Sequence, residues 1–339
     1  MRTSGARLSR TVPVGAAALA VSAGLLTACG PGGAPAAGGS AITVAVLDDP
    51  TRHMAFWAIE HDKVDLGGLK VKVTYVPTQT AQQAYQSRQY AIVETSPVAV
   101  ALAADKGLRT RILSAGVQDR DATVVDVASA SDIKSPKDLK ARTVAISAPT
   151  GSSTIQLRYV LDKAYGLQAK EQGADVRLQV TPPDSTLTLM SKGALDAAVE
   201  LNRPRYLAEH DAHQRPVLHV SKEARALTGA DPVQTVLVTY PDVEKSRAGE
   251  LRKVVKAKGE STAYARNHKQ QVADSVAGGN AGDADYLTWW WSTSDLRYGS
   301  LDTDDEAGVK AFWTMAHGVG QLASEPRLGT FRSSAAPTS

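Results

Sequence analysis

The chain has 339 residues, of which 43% are hydrophobic, and it carries 38 lysines and arginines against 35 acidic residues. This length favours two lobes over one, and the near balance of charge, without a basic stripe among aromatic residues, excludes a nucleic-acid-binding protein. The single cysteine excludes a disulfide bond within the chain, so that ordinary core packing must hold the body together.

The first 28 residues have the pattern of an export signal. Three arginines precede the apolar run at residues 12–26, which is shorter than the roughly 20 residues that span a membrane. The run ends in Leu-Thr-Ala-Cys, which resembles the Leu-x-x-Cys signal of bacterial lipoproteins. We therefore predict a signal peptide over residues 1–28 and lipidation of Cys29. The alternative is an ordinary secretory signal that ends at Ala28. Without the three arginines of the signal, the chain has 35 basic and 35 acidic residues, so its formal net charge is zero.

A low-complexity segment follows the signal. Residues 29–40 are mostly glycine, proline, alanine and serine, a composition that buries too little apolar surface to fold. We predict a flexible tether there, and a globular body that begins with the apolar pattern at Ile42.

Short strand patterns alternate with helical patterns from Ile42 to about Val220. This alternation predicts an α/β fold with largely parallel sheets. The predicted strands lie at 42–47, 71–76, 91–94, 110–115, 123–128, 143–147, 176–180, 197–201, 216–220 and 236–240. The predicted helices between them lie at 51–62, 80–88, 97–106, 152–165, 185–192 and 203–211. After Tyr240 the pattern is helical, at 243–267, 270–276, 283–293 and 305–322.

A strand followed only by helices predicts that the chain returns to the first lobe and wraps it. We place the two crossings between the lobes at residues 128–131 and 231–235. The predicted division is residues 41–130 with 232–330 for the first lobe and 131–231 for the second, with a disordered tail at 331–339.

Four segments resemble solute-binding proteins of ABC importers, in the order in which those proteins carry them. They are DIKSPKDLKARTVAI at 132–146, GSST at 151–154, GALDAAVE at 193–200 and VLVTYP at 236–241. The similar branch binds aliphatic sulfonates, taurine, nitrate and thiamine-pyrimidine precursors. The resemblance covers residues 42–329, although Ala141 stands where that family has glycine.

The resemblance implies the type 2 periplasmic-binding-protein fold. That fold has two α/β lobes, two crossover strands, a ligand cleft between the lobes and a helical C-terminal tail. It also implies that the glycine-serine turn at 151–154 grips the ligand.

Ligands of open parallel sheets bind beyond the carboxyl ends of the strands, which makes the residues after four strands candidates for a binding site. These candidates are Asp48, Asp49, Arg52, His53, Glu94, Thr95, Ser96, Thr150, Gly151, Ser152, Ser153, Thr154, Glu200 and Asn202.

The turn at 151–154 combines free helix-start amides with hydroxyl groups, which suits an anionic or carbonyl oxygen. The alternative is that Ser152 and Ser153 only cap their own helix. The sequence argues against a serine nucleophile, because no base and orienting acid stand in a hydrolase order and Gly-Ser-Ser is not a nucleophile elbow.

Four acids would meet at the cleft, namely Asp48, Asp49, Glu94 and Glu200. Several carboxylates favour a ligand with a cationic or donor-rich end, while Arg52 would neutralise one acid or clamp a ligand acid. We therefore expect a small polar ligand such as an aminosulfonate, with an amino-pyrimidine as the other possibility. The alternative is that these acids are solvated loop residues that never meet.

The predicted function is a monomeric, lipid-anchored receptor outside the cell membrane, which captures a small solute by hinge closure and presents it to an ABC permease. No histidine spacing predicts a metal site, and no cofactor is expected. The alternatives are an enzyme on the same scaffold, with pyrimidine-precursor or dehydratase chemistry, and a sensor lipoprotein. The missing acid-base pair argues against the enzyme.

Overall fold

A computed structural model describes residues 41–210 and 213–337 of the chain. The predicted signal peptide, the lipidation site Cys29 and the tether at 29–40 lie outside the described residues. Among the described residues, the helices are too short or too polar to cross a membrane.

The chain folds into strands and α-helices that mostly alternate up to β12, except that β4, β5, β6 and β7 follow one another, and so do β8 and β9. The strands are β1 Ile42–Leu47, β2 Val71–Val76, β3 Ile92–Thr95, β4 Arg111–Ala115, β5 Val117–Asp119, β6 Val124–Ala128, β7 Thr143–Ile146, β8 Ala169–Lys170, β9 Val176–Val180, β10 Ala197–Glu200, β11 Gln214–Leu218, β12 Val236–Thr239 and β13 Ser294–Leu296. The helices are α1 Pro50–Glu60, α2 Thr78–Ser87, α3 Pro97–Asp105, α4 Ser152–Tyr165, α5 Pro183–Ser191, α6 Asn202–His210, α7 Val220–Thr228, α8 Pro241–Asn267, α9 Lys269–Val276, α10 Ala281–Trp290, α11 Thr303–Gly318 and α12 Leu328–Phe331.

Two sheets organise the body. The first has the strand order β2-β1-β3-β12-β4 and the second has the order β11-β6-β10-β7-β9-β8. Strand β12 is antiparallel to both of its neighbours, and so is β6. The other pairs within these two sheets are parallel. The predicted α/β fold is confirmed, but the sheets are mixed because each strand that follows a passage between the sheets runs against its neighbours.

Local sequence chemistry sets several helix starts. The Ser96 hydroxyl accepts a hydrogen bond from the Ala99 amide at 3.1 Å, and Pro97 occupies the first helical position of α3, where a missing N–H costs nothing. Helix α4 ends at Gly166, whose φ of 67° is the left-handed conformation that favours glycine. Such caps place the strand ends, and therefore the site, at defined points.

The helical tail packs mainly on the first sheet. Buried residues of α8, α9 and α10 share one hydrophobic cluster with α1 and with β1, and Trp290 and Trp291 belong to it. Helix α11 instead joins the cluster that contains residues of α3 and α4. Apolar packing of the tail therefore fixes the first lobe and also reaches the second.

The first passage between the sheets lies before the predicted one. Residues 128–131 were expected to cross, but β6 pairs with β10 and β11 and already belongs to the second sheet. The Ser131 amide donates to the Ala128 carbonyl at 2.8 Å, which makes this segment the turn that ends β6. The chain crosses between β4 and β6, and it returns between α7 and β12, a segment that includes 231–235. A strand pattern does not reveal the sheet to which a strand belongs, and this produced the error.

The predicted disordered tail is a second difference. Residues 331–337 pack on the first lobe, since Ala335 is buried and the Ser333 hydroxyl donates to Glu244 at 2.6 Å. Helix α7 and the short pair of β5 with β13 were not predicted either. Each of these depends on partners that are distant in sequence.

Candidate functional site

A cavity of about 390 Å³ lies where strand ends of both sheets face each other. We call it the cleft cavity. Asp49 and Pro50 follow β1 of the first sheet, and Tyr286 comes from α10. The remaining lining residues belong to the second sheet and its helices, namely Ile146, Ser147, Thr181, Thr186, Val199, Glu200, Leu201, Asn202, Arg203 and Pro204.

Glu200 is the buried acid of the cleft cavity. The residue ends β10 and is 1% exposed, and its Oε1 atom has no hydrogen-bond partner. Burial raises the pKa of the carboxyl to about 7, with a further upward contribution from Asp126, whereas a hydrogen bond from Thr186 opposes the shift. Glu200 therefore exchanges a proton near neutral pH and keeps an oxygen for another donor.

A second buried acid lies beside it in the same sheet. Asp126 of β6 pairs with Ala198, two residues before Glu200, so both acids project from one face. Burial raises the pKa of Asp126 to about 7, although Arg205 lowers it. Asp126 Oδ2 and Arg205 Nη1 are buried without a hydrogen-bond partner. The face of the second sheet under the cavity thus carries two acids that are largely uncompensated.

Asp49 lies at the cavity wall, but the protein uses its carboxylate. Its Oδ1 accepts hydrogen bonds from the amide of Thr51 at 2.9 Å and from the Thr51 hydroxyl at 2.5 Å, which caps α1. Arg52 Nη1 lies 3.5 Å from the same oxygen. Asp49 is therefore committed to the helix start.

Glu94 lies inside the first lobe and is not among the cavity-lining residues. Its Oε1 accepts from Arg52 Nε at 3.4 Å and from the Tyr298 hydroxyl at 2.6 Å, and its Oε2 accepts from the Leu47 amide at 3.2 Å. Burial opposes the charge of Arg52, but Glu94 and Asp49 raise the pKa of the guanidinium. Both members of this ion pair are thus satisfied by the protein.

The other predicted residues near β1 and β3 have local roles. His53 Nε2 lies 3.2 Å from Asp48 Oδ1, and the imidazole stacks on Tyr75 with 3.6 Å between the ring centroids. Ser96 caps α3, and Thr95 is buried at the end of β3. The first-sheet candidates therefore reach the cavity only through Asp49 and its neighbour Pro50.

The glycine-serine turn begins α4 as expected, although the cavity lining stops short of it. Gly151 is the N-cap residue of α4 and makes no side-chain cap bond. The Thr154 hydroxyl donates to the Ala148 carbonyl at 2.7 Å, Ser153 is buried, and Thr150 is exposed. Neither serine occupies the cap position, and the nearest lining residue of this loop is Ser147.

Asn202 and its neighbours connect α6 with α10. Asn202 lines the cavity and accepts a hydrogen bond from Trp290 Nε1 at 3.2 Å. Trp289 Nε1 donates to Glu209 Oε2 at 2.9 Å, and Arg203 pairs with Asp283. These three pairs link a helix of the second lobe to the helical tail along one side of the cavity.

Sequence reasoning missed several lining residues. Thr181 follows β9 directly, so the rule of strand ends identifies it once that strand is included. Ser147 was assigned to the strand itself. Thr186 and Tyr286 lie within helices, and their position at the cavity depends on tertiary packing.

Comparisons with known proteins agree with this architecture. The family model described as NMT1/THI5 like matches residues 66–272, which is more than half of the chain. No curated protein sequence gives a significant match.

Solved structures match almost the whole body. The periplasmic aliphatic sulphonate binding protein SsuA from Escherichia coli is 14% identical, with a TM-score of 0.70 over 87% of this chain and 92% of the other. The alkanesulfonate-binding protein SsuA from Xanthomonas axonopodis pv. citri is 13% identical, with a TM-score of 0.63 over 86% and 96%. An ABC transporter from Parabacteroides distasonis is 17% identical, with a TM-score of 0.62 over 87% and 99%. The predicted two-lobed type 2 periplasmic-binding fold is confirmed.

Proposed function

The chain belongs to the NMT1/THI5-like family. We propose that it is the extracytoplasmic solute-binding subunit of an ABC importer, and that it is lipid-anchored at Cys29, as its Leu-Thr-Ala-Cys signal predicts. The observation that carries the proposal is the cleft cavity, which is formed by strand ends of both lobes and has room for a small solute. The similar solved structures include binding proteins whose names refer to sulfonates and to ABC transport.

Capture of the solute works by hinge closure. The hinge consists of the two passages between the sheets, with residues 41–123 and 232–337 in or next to the first lobe and residues 124–210 and 213–231 in the second. A solute held by Glu200 on one side and by groups around Asp49 on the other contacts both lobes only when they are closed, which is the energetic basis of closure. The α6 to α10 pairs described above support the closed state.

The solute is a small polar molecule of the aminosulfonate or sulfonate type. The cavity presents the Ser147 hydroxyl group, which suits an oxygen atom of a solute, and it also contains the acid Glu200. An aromatic side chain, Tyr286, closes the wall of the first lobe. Such a combination of apolar walls and few polar groups is typical of solute sites.

Calorimetric titration and a thermal-shift screen test the binding function. The panel contains sulfonates, taurine, nitrate, amino acids and pyrimidines, and a bound solute raises the apparent melting temperature by mass action. A compound that binds should also reduce the radius of gyration in small-angle scattering. Glu171→Gln removes an exposed acid outside the cavity and should bind the same compounds as the wild type. Conversion of a bound compound to product would instead support an enzyme on this scaffold.

Transport is tested in cells. Deletion of the gene should abolish uptake of the compound that binds, and the wild-type gene should restore it. Normal uptake after deletion, with ligand binding intact, would favour a sensor over an importer subunit.

Lipid anchoring at Cys29 is tested separately. The wild-type protein should incorporate labelled palmitate and sediment with membranes, whereas Cys29→Ser should do neither and should appear in the soluble export fraction. Equal membrane association of both proteins would contradict the anchor without affecting the solute-binding function.

A further inference from the structure

Glu200 combines burial with an unused oxygen at the wall of the cleft cavity. A buried polar atom of this kind is rare in folded proteins, because a missing hydrogen bond costs stability. One carboxyl oxygen interacts with Thr186, while Oε1 has no partner in the protein. The second oxygen is therefore available to a donor from the solute.

The cation that would normally neutralise such an acid does not come from the described cavity lining. Arg203, the basic residue of that lining, pairs with Asp283 on α10. Arg52 pairs with Glu94 and Asp49 inside the first lobe. The buried negative charge of Glu200 consequently lacks a counter-ion from either side of the cavity.

We propose that the solute carries a positively charged N–H group, an ammonium or an amidinium, and that the Glu200 carboxylate binds this group. The inference rests on the proposed receptor function, since it assigns the solute class of the same cavity. A charge-assisted hydrogen bond satisfies Oε1 and supplies the missing counter-ion at once. Plain alkanesulfonates and nitrate provide neither, because they bring a second negative charge beside Glu200.

Proton exchange follows from this assignment. Groups that face Glu200 are Asp126 of β6 and Thr186 of α5, and the cavity adds Asp49, Arg203 and Tyr286. Because burial and Asp126 raise the pKa of Glu200 to about 7, much of the free protein holds a proton on this carboxyl at pH 6. Binding of the cation expels that proton to solvent, so the affinity increases from pH 6 to pH 8.

Matched pairs of compounds test the solute class by calorimetric titration at pH 8. The pairs are taurine with isethionate, β-alanine with propionate, and acetamidine with acetamide. In at least one pair, the wild-type protein should bind the cationic member about 10- to 100-fold more tightly than its partner. The affinity for that cation should be about tenfold weaker at pH 6, and buffers of different ionisation enthalpy should reveal proton release.

Two variants assign the effect to Glu200. Glu200→Gln should lose both the preference for the cation and its pH dependence. Asp48→Asn removes an exposed acid that directly follows β1 of the first sheet. This variant should retain the preference for the cation and its pH dependence. Circular dichroism and melting curves establish that both variants are folded.

The outcomes separate this inference from the receptor function. Binding of the partners that lack the cationic group as tightly as the compounds that carry it, or tight binding of alkanesulfonates alone, overturns the solute class while receptor function stands. Retention of the cation preference in Glu200→Gln overturns the role of Glu200. If no member of any pair binds, the inference fails, and the uptake phenotype of the deletion decides the receptor function independently.

Discussion

The Tyr298 hydroxyl donates a 2.6 Å hydrogen bond to Glu94 Oε1, although the two residues are 204 positions apart in the chain. Glu94 is fully buried, and the same oxygen also faces Arg52. Lys258 lies beside them with its Nζ 4.2 Å from the centre of the Tyr298 ring, and burial holds its pKa well below 10.5. The helical tail thus completes a buried polar cluster in the first lobe, and Glu94 serves stability there.

Glu94→Gln should destabilise the protein by about 3 kcal/mol, because the change leaves the Arg52 charge buried with a weaker partner. Tyr298→Phe should cost about 1 kcal/mol through the lost hydrogen bond. Chemical denaturation measures both. Asp304→Asn, an exposed acid in the first turn of α11, should change the unfolding free energy by less than about 0.5 kcal/mol. If Glu94→Gln has normal stability but no longer binds solute, the stability role is contradicted and Glu94 belongs to the binding site.

Glu200→Gln should make the free protein more stable at pH 8 than the wild type. The pKa of Glu200 rises from 4.5 to about 7 on folding, so the folded chain holds the proton more tightly than the unfolded chain. The stability from this group is full below pH 4.5 and is lost as the pH rises through 7. Urea denaturation should show a gain of about 2 kcal/mol at pH 8 and little gain at pH 4.5. A gain that is equal at both values would show that Glu200 titrates normally.

Asp119 joins the two passages between the sheets, and Asp119→Asn should cost about 3 kcal/mol. The buried carboxylate accepts hydrogen bonds from the Ala122 amide at 2.7 Å, from Thr123 at 2.8 Å, from Gln156 at 3.1 Å and from Gln234 at 2.8 Å. Gln234 belongs to the return passage and Gln156 to α4. Asparagine replaces one carboxylate oxygen with an NH₂ group. This group donates hydrogen bonds and would face the donors that the oxygen now accepts from.

The same variant should also loosen the hinge. Small-angle scattering of the free protein should show a larger or more variable radius of gyration for Asp119→Asn than for the Asp304→Asn control. An unchanged unfolding free energy would show that the four hydrogen bonds are not coupled to folding.

Gly308→Ala and Gly249→Ala should act in opposite directions. A Cβ atom on Gly308 in α11 would lie 2.5 Å from the Asp231 carbonyl and 2.8 Å from Val233 Cγ2, so the return passage must shift. We expect a loss of about 1–3 kcal/mol. The corresponding atom on Gly249 in α8 meets nothing within 4 Å, and alanine there should add about 0.5–1 kcal/mol through helix propensity. Thermal and urea denaturation of the two proteins measure the difference, and equal effects would contradict the close approach at Gly308.

Periodicity predicted the elements well because it reflects local burial. The bounds of β1, β2, β9 and α4 agree residue for residue with the prediction. The α/β class follows from the same alternation, and the family resemblance of four short segments agrees with the family match. In contrast, the first crossing between the lobes was predicted at 128–131, whereas the chain crosses earlier, between β4 and β6. Periodicity does not reveal this, because strand pairing is a long-range property.

The sequence alone determined the order of strands and helices, the α/β class and the idea that strand ends form the site, because side-chain periodicity and caps act over a few residues. Only the tertiary structure decided which acids face the cavity. Glu94 and Glu200 both lie at strand ends, yet Tyr298 and Arg52 occupy the first, whereas Glu200 keeps a free oxygen at the wall of the cavity. Partners far apart along the chain make this difference, and local patterns do not encode them.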